Sequence, residues 1–192
     1  IQNKFDSDKQ LQAESIFSIG NGIFGQRANF EEKFSGPTLQ GSYVGGVYYP
    51  DKTKVGWWKN GYPEYFAKVL NACNWIGIDF WVDNVEVDLN GLKILDFTRT
   101  LDMKNGLLKR SNILKFDNGN EIKFDFTRFC SMSQKNLGVV HASITPLNFT
   151  GKLKIKLYLN AKVYNSDANY DELFWDNSSY SAEKQKGDVC TI

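Results

Sequence analysis

Apolar and polar side chains alternate from Ile76 onward, with Ile76, Ile78, Phe80 and Val82 on one parity and Gly77, Asp79, Trp81 and Asp83 on the other. A period of two turns one parity toward a core, so this run predicts a half-buried strand. Val85, Val87 and Leu89 repeat the pattern against Glu86, Asp88 and Asn90, and Asp83-Asn84 is the turn expected between the two runs. Further on, Leu114 and Phe116 lead into Asn118-Gly119, and then Ile122, Phe124 and Phe126 alternate with charged residues. That is a hairpin with the aromatic residues facing inward. Leu153, Ile155, Leu157 and Leu159 alternate with Lys152, Lys154, Lys156 and Tyr158, predicting another strand with its lysines in solvent, where they discourage edge pairing.

Asn-Gly recurs at 21–22, 60–61, 90–91, 105–106 and 118–119, and each pair can supply the positive φ of a tight hairpin turn. Ile16 to Ile19 reads as a short strand. Pro63 to Leu70 fits either one helical turn or an extended segment. Residues 165–179 form a long polar connection whose aromatics pack over the sheet. Strands separated by turns every ten or so residues, with no long helical period between them, predict an all-β fold: a large antiparallel β-sandwich with little helix.

Composition agrees. The 192 residues include 14 Phe, 9 Tyr and 5 Trp, side chains that favour pleated, half-buried surfaces. The length fits a single domain, 1–192. A net charge of +1 gives no field to draw nucleic acid or anionic lipid, and no stretch approaches the apolar length of a membrane span, so neither partner is expected. Cys73, Cys130 and Cys190 lie far apart, which argues against a disulfide framework or a zinc knuckle and fits a reducing, cytoplasmic location. Neither a metal nor a cofactor is expected. The first residues carry neither Met nor a signal segment, and the last carry no cap, so an N-terminal portion of a longer enzyme is expected.

Gly20-Asn-Gly22-Ile-Phe-Gly25 spells the dinucleotide fingerprint G-x-G-x-x-G, which requires a helix to open after it and an acidic residue about twenty positions on. Gln26 to Gly36 is too short and runs into Gly-Pro, so the glycines read as a tight turn, with Arg27 pairing to Glu31 or Glu32. Glu31, Glu32, Asp102, Glu172 and Asp176 are the carboxylates to consider for a glycosidase pair, but spacing along the chain does not fix the separation such chemistry requires. His141, in a strand-like run, reads as a sheet histidine rather than a base. No G-x-S-x-G nucleophile elbow occurs. Trp57-Trp58, followed by Tyr62, places aromatics beside a turn, a composition that stacks on sugar rings or anchors an interface. Trp75, Trp81 and Trp175 read as packing residues.

Several segments, in order, resemble the N-terminal domain of glycoside hydrolase family 65, the family of maltose, trehalose, kojibiose and nigerose phosphorylases. Glu14 to Glu32, with Asn21, Gly22, Gly25 and Arg27, is similar to the family's opening block. Gly41 to Tyr48 resembles the next, and Leu70 to Ile78, with Asn74 and Trp75, resembles a third, departing at Cys73 where Pro is common. Phe97 to Arg110, with Asp102, and Arg128-Phe-Cys-Ser-Met132 complete the resemblance.

The resemblance implies a β-super-sandwich joined to a catalytic (α/α)6 barrel that is absent here, so this chain should itself be non-catalytic. It implies a parent enzyme, a phosphorylase or a related hydrolase, that cleaves an α-linked glucosyl disaccharide with inversion at the anomeric carbon, takes inorganic phosphate as co-substrate where it is a phosphorylase, and works as a homodimer. The domain's expected roles are to support the barrel, to lend a loop to its active-site rim and to help build the dimer. Trp57, Trp58 and Tyr62, in the stretch 48–66, are the expected rim or interface residues. A free-standing carbohydrate-binding sandwich is the alternative.

Overall fold

The computed structural model describes residues 1–53, 61–166, 173–175, 183–185 and 189–191. In chain order they form a 3-10 turn (Ser7–Lys9), helix α1 (Gln10–Ile16), and strands β1 (Ile19–Gly20), β2 (Phe24–Gln26), β3 (Ser42–Val44), β4 (Tyr48–Lys52) and β5 (Tyr65–Val69). Then follow β6 (Ile78–Val82), β7 (Val85–Glu86), β8 (Lys93–Asp102), β9 (Leu107–Lys115), β10 (Glu121–Cys130), β11 (Gly138–Pro146), β12 (Leu153–Leu157), β13 (Glu183–Gln185) and β14 (Val189–Thr191). The all-β antiparallel architecture predicted from the alternation is the one observed.

The largest sheet is a four-stranded meander, β11-β10-β9-β8, and along β10 every second residue is buried. A three-stranded sheet, β12-β6-β7, supplies the other wall of the core. Ile78, Phe80, Val82, Val87 and Leu89 meet Phe97, Leu114, Ile122, Phe124 and Phe126 between them. Phe80 and Phe124 are fully buried with ring centroids 5.0 Å apart, the tilted arrangement that aromatic quadrupoles favour. A second cluster continues over the same meander, where Ala13 and Phe17 of the α1 region pack with Ile19, Ala28, Leu108 and Cys130.

Turn chemistry sets the meander's register. Gly119 takes φ +88° and donates its N–H to the Phe116 carbonyl, and Gly106 takes φ +66° at the end of the β8–β9 turn. Asp83 and Asn84, at φ 48° and 68°, make the two-residue β6–β7 turn, both in the left-handed region that Asp and Asn tolerate. Asn90-Gly91 departs from expectation: Gly91 has no positive φ, and the pair lies in a turn before β8 held by the Asp88 carbonyl.

Three other expectations are corrected and one open alternative, at Pro63–Leu70, is decided. Ile16 ends a helix rather than starting a strand; α1 follows Asp6, which accepts the Asp8 N–H at the start of the preceding 3-10 turn. Pro63–Leu70 is extended and contains β5. The run 85–89 is a strand only at Val85–Glu86, with Val85 exposed, although Val87 and Leu89 do reach the core. The apolar parity of β12 is not covered: Leu153, Ile155 and Leu157 pair with Val82, Phe80 and Ile78, yet are 43 %, 48 % and 71 % exposed. The opposing meander ends at β11, so among the described residues this overhanging row has no layer against it.

Phe80→Ala removes the ring at the centre of both layers and is expected to cost about 3–5 kcal/mol. A denaturant midpoint that falls without a change in slope would be the result of that lost packing.

Candidate functional site

The inward row of the meander carries cations where apolar residues are expected. Arg99 on β8 lies directly opposite Arg110 on β9, which faces Phe126 on β10, and Arg128 lies two residues farther along β10. All three are buried, together with Glu31 and Glu32 from the segment between β2 and β3. Arg110 Nη1 donates to Glu32 Oε1 at 2.7 Å and to Asn112 Oδ1 at 2.8 Å; its Nη2 donates to Glu31 Oε2 at 2.7 Å and to Glu32 Oε2. Arg128 Nη1 lies 3.6 Å from Glu31 Oε1, and its Nη2 donates to the Asn29 carbonyl at 3.2 Å. Arg99 donates to Gln10 Oε1 at 3.0 Å and lies over the rings of Phe17, Phe30 and Phe97.

Burial pushes the Glu31 carboxyl up, but Arg128 and Arg110 outweigh it and hold Glu31 below the usual carboxylate range. For Glu32 burial wins, with Glu31 beside it, so of the two carboxyls Glu32 takes a proton first as pH falls. Burial, helped by the Arg110 charge, lowers Arg99 to about 10. The two glutamates brought together here are occupied by guanidinium, which makes them a structural clamp rather than a general acid and base. The expected Arg27 pairing is corrected: Arg27 Nε donates to the Leu39 carbonyl at 3.0 Å, Nη2 to the Leu11 carbonyl at 3.1 Å, and the guanidinium lies 4.0 Å from Glu14.

The other motif residues hold turns and crossings. Asn21 Oδ1 accepts the N–H groups of Ile23 and Phe24, while its Nδ2 donates to the carbonyls of Ser131 and Lys135, tying the β1–β2 turn to the β10–β11 turn. Gly22 takes φ +85°, and Gly25 pairs with Gly20 across that antiparallel turn, so the G-x-G-x-x-G pattern is a hairpin with no helix after it. Asn74 exchanges backbone hydrogen bonds with Asn160 and accepts the Ile76 N–H. Trp75 packs edge-on to Phe24, at 6.0 Å, and against Gly138, where any Cβ would collide with its ring. Asp102 accepts from the Asn105 side chain and N–H, which hold its carboxyl low and fix the β8–β9 turn.

Two surface features remain. Among the described residues β4 and β5 pair only with each other, as an arm whose one side presents Tyr48, Tyr65 and Val69, each half exposed or more. Its other side is partly engaged: Lys68 pairs with Asp51 at 3.0 Å and Tyr49 packs on Phe174 at 4.9 Å. Tyr62 is exposed beside Phe66 at the far end of this arm, and Trp57 and Trp58 lie outside the described residues, as do Glu172 and Asp176. The second feature is a groove of about 370 Å³ in which Thr38, Gln40, Asp79, Glu86 and Tyr158 share the wall with Phe30 and Phe34. His141 is exposed on the outer face of the meander, opposite Thr127. Among the described residues, no group of three or more His, Cys, Asp or Glu side chains is placed to hold a metal, and no helix is long and apolar enough to cross a membrane.

Because the folded state depresses Glu31, its stabilising contribution is complete above the unfolded carboxylate value and is lost as pH falls through the lower folded one. Glu31→Gln is therefore expected to destabilise at neutral pH by about 3–5 kcal/mol and to flatten the acid limb of stability. Urea midpoints measured from pH 7 to pH 3 check both effects.

Comparison with known proteins supplies the family. The model of the glycosyl hydrolase family 65 N-terminal domain matches residues 1–190. Maltose phosphorylase of Bacillus subtilis (strain 168) is 40 % identical over 185 residues, covering 96 % of this chain and 24 % of that protein. Alpha,alpha-trehalose phosphorylase of Thermoanaerobacter brockii is 31 % identical, covering 88 % and 22 %. A solved structure described as a putative kojibiose phosphorylase from human microbiome superposes with a TM-score of 0.83 at 28 % identity, covering 96 % of this chain and 24 % of that one. The chain thus spans about a quarter of the length of the relatives it matches. With a family-model match along nearly its whole length and the fold of a solved relative, it belongs to glycosyl hydrolase family 65, as the N-terminal domain.

Proposed function

We propose that this chain is the non-catalytic N-terminal domain of a disaccharide phosphorylase acting on α-linked glucosyl disaccharides, docked against a catalytic barrel and contributing to its active-site rim and homodimer. The observation that carries the reading is where apolar surface is left open. The aromatic side of the β4–β5 arm and the overhanging row of β12 are exposed, while the core between the sheets is closed. Large exposed apolar surface marks an interaction site. The relatives named above are phosphorylases in which this domain is about a quarter of the chain, so a catalytic portion is the partner that fits. In the parent reaction, phosphate attacks the anomeric carbon as the glycosidic C–O bond breaks, and a glutamic acid outside this domain protonates the departing oxygen. Glu31 and Glu32 take no part, since both are bound to Arg110.

The groove with Tyr158, Phe30 and Phe34 favours the second reading, a carbohydrate-binding module, since it mixes aromatic and polar side chains and its volume lies within the range of small-ligand sites. Calorimetry of the chain against maltose, trehalose and kojibiose separates the two: the accessory domain gives no binding heat and no turnover with phosphate, whereas a module binds sugar unaided.

Tyr65→Ser with Val69→Ser, placed in a polypeptide that carries the catalytic portion, is expected to lower melting temperature and turnover together while leaving the melting temperature of this chain alone unchanged. Trp57→Ala with Trp58→Ala in that longer polypeptide is expected to weaken disaccharide affinity or subunit assembly. If both stay as they were, Trp57 and Trp58 serve neither role.

A further inference from the structure

Among the described residues Asn-Gly falls at 21–22, 90–91, 105–106 and 118–119, and the fold treats the pairs differently. The glycine nitrogen of such a pair, with no Cβ beside it, can attack the side-chain amide of the residue before it. What the glycine N–H and the amide are already bonded to therefore decides which pair reacts. Asn21 is buried, with both ends of its amide engaged. Asn90 and Asn118 are exposed, but the Gly91 N–H donates to the Asp88 carbonyl at 3.0 Å and the Gly119 N–H to the Phe116 carbonyl at 2.9 Å. Each of those bonds holds back the proton that the attack requires the nitrogen to lose.

Asn105-Gly106 differs on every count. Both residues are exposed, the Gly106 N–H donates to no acceptor among the described residues, and the space where a Cβ would stand is open, at φ +66°. The Asn105 amide is tied at one end only, where Nδ2 donates to Asp102 Oδ2 at 2.7 Å. Gly106 N bonds to Asn105 Cγ, closing a cyclic imide as the Cγ–Nδ2 bond breaks, and Nδ2 departs as ammonia with the proton that Gly106 gave up. Water then opens the imide on either side, leaving aspartate or isoaspartate at 105. In the aspartate product an anionic oxygen replaces the Nδ2 donor, facing the Asp102 carboxyl, which the Asn105 side chain and N–H hold low and ionised. Attraction becomes repulsion between like charges. In the isoaspartate product the main chain gains a methylene, and the turn that joins β8 to β9 no longer fits its ladder.

We propose that Asn105 is a site of spontaneous amide-to-acid conversion, with water as the co-reactant, and that the conversion loosens the β8–β9 turn. It places an age-dependent weakness at one end of the ladder that sets Arg99 opposite Arg110.

The protein is held at mildly alkaline pH, folded or in urea, and its peptides are mapped by mass spectrometry at intervals. In the folded protein Asn105 is expected to convert about fivefold faster than Asn90 or Asn118, the rate equivalent of one net backbone hydrogen bond, with Asn21 slowest. In urea the four rates are expected to draw together. Equal rates at Asn105 and Asn118 in the folded protein, or an order that urea leaves unchanged, would overturn the site. Asn105→Asp is expected to lower the melting temperature by about 3–6 °C. Combining it with Asp102→Asn is expected to recover most of that loss, because one donor again faces one carboxylate. A melting temperature unchanged in Asn105→Asp would overturn the effect on the turn.

Discussion

Moving a charged side chain out of water costs several kcal/mol unless a partner moves with it, and this protein buries three arginines on the inward face of one sheet with Glu31 and Glu32 laid against them from the segment after β2. Arg110 binds both Glu31 and Glu32, and Arg128 approaches Glu31 from the next strand, so the connection after β2 can lie on the meander in one register only. A slip of one residue in β9 or β10 would send a guanidinium to the opposite face and strand two carboxylates inside. Apolar rows fix which face is inward; the clamp fixes which residue meets which. Phe17, Phe30 and Phe97 around Arg99, and Phe126 beneath Arg110, let the cations sit among aromatics without breaking the packing.

The same clamp explains why Glu31 and Glu32 are poor candidates for chemistry. A general acid must be able to release its proton to substrate, and a nucleophile or base must reach it. Glu31 and Glu32 are held by guanidinium and closed to solvent, while Asp102 spends its oxygens on the β8–β9 turn. What the domain presents outward is instead apolar: the arm of β4 and β5, and β12. A polypeptide about four times as long, as in its relatives, has ample chain with which to cover them.

The sequence blocks that pointed to the family acquire separate physical duties in the fold. Asn21 and Gly22 shape one turn and anchor it to another; Asn74 and Trp75 join the start of β6 to the chain after β12 and to Gly138; Arg128 enters the clamp. Arg99 and Arg110 stand in the family block from Phe97 to Arg110 without a partner assigned to them, yet their phase carries a signal. In β8 to β10 they fall on the parity of Phe97, Leu108, Leu114 and Phe126, and a charge in phase with buried residues announces a buried partner without naming it.

Alternation and turn residues by themselves determined the inward face of β6, the β9–β10 hairpin at Asn118-Gly119 and the turn at Asp83-Asn84, because pleat and positive φ are local properties of the backbone. Helix α1 escaped that reading: seven residues offer too short a period to stand out, and its place is set by Ala13 and Phe17 packing on the sheet. Only the tertiary structure decided that Glu31 and Glu32 belong to Arg110 rather than Arg27, and that the apolar parity of β12 lies bare. Both depend on which elements meet across long separations in the chain, and neither spacing nor composition carries that geometry.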